Sequence, residues 1–287
     1  MNKKQVGGGL ALGAVIALVI GAMQWFEVPK QTNIMTVQQH QYPAQCPNWV
    51  VLSGDASKTL PRQFTVASWN IYKTQNLGWA DQLDKLAKQA DVIALQEARE
   101  STTQAFWRRR HWSATMLEAF TMGRQSVGVQ LASAYPPLQV CGLRQKEPLI
   151  RLPKSLIAGV YPLADGAGEL WVISLHSINF SLKIAPYLQQ LNDVANLINQ
   201  HHGPLIIAGD FNTWSRHRHQ VLLQWMQHHG LQPVRFKNDK RSQVFGHALD
   251  HIFYRGVKLA RSRVIATNAS DHNALVATFK TTTHSGG

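Results

Sequence analysis

Several apolar, strand-like runs in this chain end in a residue able to hold a metal, a proton or a phosphate oxygen. Asn70 ends ASWN, Glu97 ends VIALQE, and His176 and Asn179 fall in ISLHSIN. Asp210 and Asn212 fall in IIAGDFN, Asp250 in ALDHIFY, and Asp271 and His272 stand side by side in SDHNAL. One such ending is ordinary turn or cap chemistry, and a lone Asp-His pair is usually a solvated turn. Repetition at strand after strand is not explained by capping. If the sheets bring these ends together, they form one pocket of acids, amides and two imidazoles. Oxygen ligands without thiols favour a hard cation such as Mg²⁺ or Mn²⁺. Amides donate to phosphate oxygens without repelling them, and an Asp-oriented His stabilises developing charge or moves a proton. The set suits metal-assisted hydrolysis of a phosphoester.

The elements that must position these groups are legible as alternating periodicities. Strand character marks 63–71, 91–97, 127–133, 155–163, 169–177, 204–210, 248–254, 257–267 and 273–280. Helical spacing of Trp79, Leu83, Leu86 and Ala90 predicts an amphipathic helix over 78–90. Ile184, Leu188, Leu191, Ala195 and Ile198 predict a second over 184–202, stopped by Gly203-Pro204. Many strands with few long helices predict an α/β fold in which helices cover packed sheets.

With WNI, LQE, GDFN and SDH in this order, the chain resembles the endonuclease/exonuclease/phosphatase (DNase I-like) superfamily from about residue 62 to 281. YKTQN, KEPLIRLPKS, HSINFS and GDFNTWSR look closest to an uncharacterised bacterial branch of it. The resemblance implies a four-layer α/β sandwich with the site at one edge of two packed mixed sheets. It implies that Glu97 is the principal metal ligand, beside Asn70 and assisted by Asp271. It implies that Asp210 positions or deprotonates the attacking water, and that Asn212 holds that water and a phosphate oxygen. His272 would contact the scissile phosphate, oriented by Asp250, and His176 would stabilise the phosphate or aid the leaving group. The abasic-site repair branch usually carries Tyr where this chain has His176, which argues against that role.

The chain has 287 residues, 45% of them apolar, which excludes global disorder. Its net charge of +13 points to an anionic partner. The organisation read from the sequence is an apolar segment at 1–26, a Pro-containing linker at 27–60, the catalytic domain at 61–281 and a tail at 282–287. Lys3 and Lys4 precede an apolar run from Val6 to Phe26, long enough to span a bilayer. It predicts a membrane anchor with the catalytic domain periplasmic or otherwise extracytoplasmic; a cleaved signal and a cytoplasmic location are the alternatives. Cys46 and Cys141 could pair, but sequence does not give their distance.

Three classes compete: a metal-dependent phosphodiesterase or nuclease, a phosphatase or phosphodiesterase acting on phospholipid or inositol phosphate at a membrane, and a non-enzymatic adaptor. The retained polar set counts against the adaptor. Nucleic acid is favoured over lipid, and no protein partner is evident. The supporting features are the charge, the Trp107–Trp112 run with three arginines, and Arg216 and Arg218 after GDFNT, where they would overhang the pocket beside Asn179 as substrate contacts. A solvated helix end explains the 107–112 run equally well.

Overall fold

The computed structural model describes residues 26–43, 45–52, 57–181 and 183–282. In chain order the elements begin with strands β1 (Phe26–Glu27), β2 (Asn33–Thr36), β3 (Gln41–Pro43), β4 (Val50–Val51) and β5 (Gln63–Asn70). Helix α1 (Trp79–Ala87), β6 (Val92–Arg99) and helix α2 (Glu100–Arg110) follow. Next come β7 (Ser113–Met122), β8 (Gln125–Ser133), β9 (Gln139–Lys146), β10 (Pro153–Pro162) and β11 (Glu169–His176). The rest comprises α3 (Ala185–Ile198), β12 (Leu205–Asp210), α4 (Arg216–His228), β13 (Gln232–Pro233), β14 (Gln243–Val244), β15 (His247–Ala248), β16 (Asp250–Arg255), β17 (Val257–Ile265) and β18 (Ala274–Thr281).

Two mixed sheets carry the fold. The nine-stranded sheet runs β17-β18-β5-β6-β8-β7-β2-β3, with β1 on β7; the seven-stranded sheet runs β13-β16-β12-β11-β10-β9-β4. Strands β6 and β12 read as nearly continuous apolar runs because both of their faces are covered. Between the sheets pack Phe64, Val66, Ile157, Val172, Ile206 and Leu275. Outside the seven-stranded sheet, Leu191 and Val194 of α3 and Leu222 and Met226 of α4 join Ile173 and Ile207. Outside the nine-stranded sheet, Leu83 and Leu86 of α1 and Trp107 of α2 join Ala67 and Ile93. The result is the expected four-layer α/β sandwich.

Both anticipated helices form, each shorter than its apolar periodicity. Helix α1 starts after Gly78, whose φ of +81° suits glycine. Helix α3 stops at Ile198, before Gly203-Pro204.

Three further readings need revision or completion. The stretch 27–60, expected as a linker, supplies β2 and β3 to the nine-stranded sheet and β4 to the seven-stranded one. Ile34 is fully buried there, because β2 pairs with β7 and turns that side chain into the core between the sheets. The expectation of a membrane-anchored chain is corrected: among the described residues no helix is long and apolar enough to cross a membrane. The apolar run lies outside the described residues except for Phe26, and Phe26 is strand, opposite Met122 of β7. Cys46 and Cys141 form a disulfide across a sequence separation of 95, with Cα atoms 5.1 Å apart. Closing a loop of that size removes roughly 4–5 kcal/mol of denatured-state entropy in the chain-entropy picture.

Candidate active site

Strand register sets the first row of the site. Parallel pairing of β11 with β12 puts His176 opposite Asp210, and antiparallel pairing of β12 with β16 puts Asp210 opposite Asp250. Three polar residues therefore stand side by side across one edge of the seven-stranded sheet. Gly209 permits this approach: a Cβ there would lie 1.9 Å from the Leu175 carbonyl oxygen. The next turn places Asn212 in left-handed backbone at φ +50°, which Asn tolerates better than most residues.

The other sheet supplies the facing row. Parallel β5 and β6 set Asn70 opposite Gln96, next to Glu97. The ladder between β6 and β8 shifts register between Leu95 and Ala98, and Glu97 sits in this irregularity with φ +53°. A bulge re-aims a side chain that regular pleating would send elsewhere. His272 enters from the loop before β18, where its carbonyl accepts the Trp69 indole N–H at 2.9 Å. Polar bonds join the sheets behind the site: Gln96 Nε2 donates to Ser174 Oγ at 3.0 Å, and Ser174 Oγ donates to Leu95 O at 3.0 Å.

Asp210 is where the rows meet. Its Oδ2 accepts from Asn70 Nδ2 at 3.1 Å and lies 3.5 Å from His176 Nε2 and 3.9 Å from His272 Nε2. Its Oδ1 accepts from the Asn212 backbone N–H at 3.0 Å, and Asn212 Nδ2 donates to Ser177 O at 2.8 Å. His272 Nδ1 donates to Asp250 Oδ2 at 2.7 Å. Thus Asn70, His176, Asp210, Asn212, Asp250 and His272 gather in one buried cluster. Glu97 joins through His176, whose Nε2 is 4.0 Å from Glu97 Oε1.

The two imidazoles are held in opposite states. Burial disfavours the charged form of both. At His272 the attraction of Asp250, its hydrogen bond and the charge of Asp210 prevail, raising the pKa to about 10. At His176 burial is joined by repulsion from Lys154 and Lys73, and the pKa falls well below its ordinary value. Lys154 Nζ donates to His176 Nε2 at 2.7 Å, so the neutral ring carries its proton on Nδ1. Burial pushes Asp210 up to about 6, with repulsion from Asp250 adding to it against the pull of His272 and Lys154. At Glu97 burial acts upward, but Lys73 and Lys154 outweigh it and lower its pKa.

The donor set fits a hard divalent cation. It offers carboxylate and amide oxygens and no thiol. Lys73 Nζ donates to Glu97 Oε2, while Asp250 Oδ1 is buried without a hydrogen-bond partner among the described residues. Among the described residues, one trio presents ligand atoms within 4.8 Å of one another: Asp210, Asp250 and His272. This differs from the anticipated trio of Glu97, Asn70 and Asp271. His272 can serve as a ligand in that trio only as the neutral ring, since an imidazolium offers no lone pair. Asp271 is exposed, its Oδ1 accepting from Ser270 Oγ at 3.2 Å.

The anticipated substrate contacts separate. Arg216 is exposed. Arg218 is buried, donating to Ile178 O at 2.7 Å, Ser181 Oγ at 2.7 Å and Asn212 O at 3.3 Å, and packing on Tyr187 and Trp214. Its expected substrate contact is corrected to a brace holding the two loops behind the site, because its donors are used within the fold. Asn179 is half-buried, and its backbone N–H donates to Glu147 Oε1 at 2.5 Å. Within the Trp107–Trp112 run, Trp107 is buried, stacked on the half-buried Trp112 at 5.2 Å and donating from Nε1 to Gln130 Oε1, whereas Arg108, Arg109 and His111 are exposed. Sequence reasoning gave no role to Lys73 in YKTQN or Lys154 in KEPLIRLPKS, yet both line a cavity of about 160 Å³ with Glu97 and His176. A larger cleft of about 680 Å³ lies elsewhere, lined by Arg108, His111 and Trp112. None of the clustered acids or imidazoles lines it, so it is not the reaction centre.

The chain matches the model of the Endonuclease/Exonuclease/phosphatase family over residues 67–272. It is 41% identical over 216 residues to a UPF0294 protein of Yersinia pseudotuberculosis, spanning 75% of this chain and 83% of that one. Its fold is similar to the human Nocturnin catalytic domain with bound sulfate anion (TM-score 0.60, 17% identity, 82% and 97% of the two chains). It is also similar to an endonuclease/exonuclease/phosphatase of Bacteroides vulgatus (TM-score 0.61, 12% identity, 77% and 99%). A third similar fold is that of ANGEL2, a 2′,3′-cyclic phosphatase, in complex with adenosine-2′,3′-vanadate (TM-score 0.55, 16% identity, 82% and 98%). With two packed sheets, the converging strand ends and a family match across most of the domain, this chain belongs to the Endonuclease/Exonuclease/phosphatase family.

Proposed function

We propose that the chain is a metal-dependent phosphodiester hydrolase whose substrate is of the nucleic-acid type. The observation that carries this reading is the position of Asp210, buried between a neutral His176 and a protonated His272. A carboxyl whose pKa is about 6 is a serviceable base near neutral pH. Asp210 accepts a proton from the attacking water as that water bonds to phosphorus, and the second N–H of the Asn212 amide holds the water or a phosphate oxygen. His272, kept charged by Asp250, donates from Nε2 to a non-bridging oxygen as negative charge builds there. Lys154 faces the departing oxygen with its ammonium, held in place by the Nε2 lone pair of His176. Glu97 and Asn70 would hold the cation, which supplies Lewis-acid polarisation of the phosphoryl group. The +13 charge, and Lys73 and Lys154 in the cavity, favour a polyanionic substrate.

The test is hydrolysis of bis-p-nitrophenyl phosphate, DNA and RNA with and without Mg²⁺, by the full chain and by Asp210→Asn. Metal-dependent hydrolysis lost in Asp210→Asn is expected. Full activity in EDTA, or in Asp210→Asn, overturns the reading.

A further inference from the structure

The cavity that touches Glu97 and His176 extends past the reacting groups to a second set of residues. Its walls include Phe120, Val127, Ile150, Leu152 and Phe180. Phe180 is 49% exposed and Ile150 48%, unusual for apolar side chains beside a polar site. Glu147 also lines the cavity and is fully buried. Its Oε1 is used by the backbone N–H groups of Asn179, at 2.5 Å, and Phe180, at 2.7 Å. Its Oε2 is buried without a hydrogen-bond partner among the described residues. A buried carboxylate oxygen lacking a donor is costly, and a ligand N–H would relieve that cost.

We propose that this cavity is a base subsite, binding a nucleobase that presents an exocyclic amino group. The inference rests on the phosphodiesterase reading and names which part of the substrate the chain selects. At about 160 Å³ the cavity is below the roughly 300–1,000 Å³ of sites enclosing a whole small ligand, so it suits one ring system rather than a nucleotide. Aromatic and aliphatic walls take the ring faces, as aromatic platforms take bases elsewhere. Glu147 Oε2 takes the amino N–H. Lys73 and Lys154, beside Glu97 and His176 where the cavity meets the reacting groups, take the attached phosphate. A single free acceptor favours adenine, cytosine and guanine over uracil and thymine, because the amino group carries two hydrogens on a freely presented edge.

Calorimetric titration of the full-length Asp210→Asn protein with AMP, CMP, UMP and ribose 5-phosphate tests this without relying on turnover. AMP and CMP are expected to bind roughly 10-fold or more tighter than UMP and ribose 5-phosphate, the scale of one satisfied buried acceptor. In the same background, Glu147→Gln leaves an amide oxygen for the Asn179 and Phe180 N–H groups and puts an NH₂ where Oε2 was. It should reverse the order toward UMP. Phe180→Ala, a change at a half-exposed side chain, should bring AMP close to ribose 5-phosphate without loss of folding. Equal affinities for all four ligands, absence of AMP binding, or an unchanged order in Glu147→Gln overturns the subsite. Hydrolysis of bis-p-nitrophenyl phosphate, which has no base, separately reports on the phosphodiesterase reading.

Discussion

His272 donates from Nδ1 to Asp250 Oδ2 at 2.7 Å, while its Nε2 lies 3.9 Å from Asp210 Oδ2. One imidazolium thus bridges two buried carboxylates that would otherwise repel each other. Asp250 and His272 are expected to act on substrate as one unit, so the effects of removing them should not be additive. Asp250→Asn, His272→Ala and the double variant are each expected to lose roughly 10²-fold or more in kcat/KM on bis-p-nitrophenyl phosphate. Losses that multiply in the double variant would show two independent contributions.

Asp210 and His272 give the pH dependence opposite slopes. Asp210, raised to about 6, must ionise to act as base, so kcat/KM should rise with pH through about 6. His272, raised to about 10, should hold the plateau until it deprotonates at alkaline pH. For stability the sign follows proton uptake. A His with a raised folded pKa contributes stability that is fully present below about 6.5 and lost as pH rises through about 10. Melting of the wild type and His272→Gln across this range checks it: the wild type should lose stability relative to the variant as the solution becomes alkaline. A constant difference would contradict the assigned charge.

Glu97 is kept ionised by Lys73 and Lys154, although burial opposes this. Glu97→Gln preserves shape and removes the charge that would hold the cation. A loss of roughly 10²-fold or more is expected, together with a higher Mg²⁺ requirement in a titration of activity. An unchanged Mg²⁺ response would place the cation on other residues, the Asp210–Asp250–His272 trio first.

Arg216 and Arg218 are two residues apart and should respond in different ways. Arg218→Met leaves Ile178 O and Ser181 Oγ without their donor and should cost about 2 kcal/mol or more in a denaturant titration. Arg216→Ala should leave the melting temperature unchanged. It should weaken DNA binding with little dependence on sequence and flatten the salt slope by about one unit, as for one lost phosphate contact. Similar destabilisation in both variants would argue against the division.

The sequence alone identified the α/β class, the two longer amphipathic helices, and the residues that close the apolar strands. These are local properties: periodicity records which faces are covered, and polar residues that close strand after strand exceed what turn and cap chemistry explains, although any one of them does not. Asn70, Glu97, His176, Asp210, Asp250 and His272 were legible on that basis. Their meeting depends on pairings between distant segments, such as His176 with Asp210 and Asp210 with Asp250, and on the closure of two sheets that brings Asn70 to Asp210. Local pattern could not separate a solvated arginine from a buried one two residues later, because Arg218 is buried by Tyr187 and by the carbonyls of Ile178 and Asn212. The same limit hid Ile34 in a segment that reads as a linker, since the short strand β2 gains its stability from pairing with β7 and β3 rather than from its own composition. Lys73, Lys154 and Glu147 carry no signal as single residues; their roles come from the groups that folding sets beside them. The residue types limited the chemistry to oxygen ligands, imidazoles and phosphate. Only the tertiary structure decided which imidazole is charged, because that depends on distances of a few ångströms in a medium from which water is excluded.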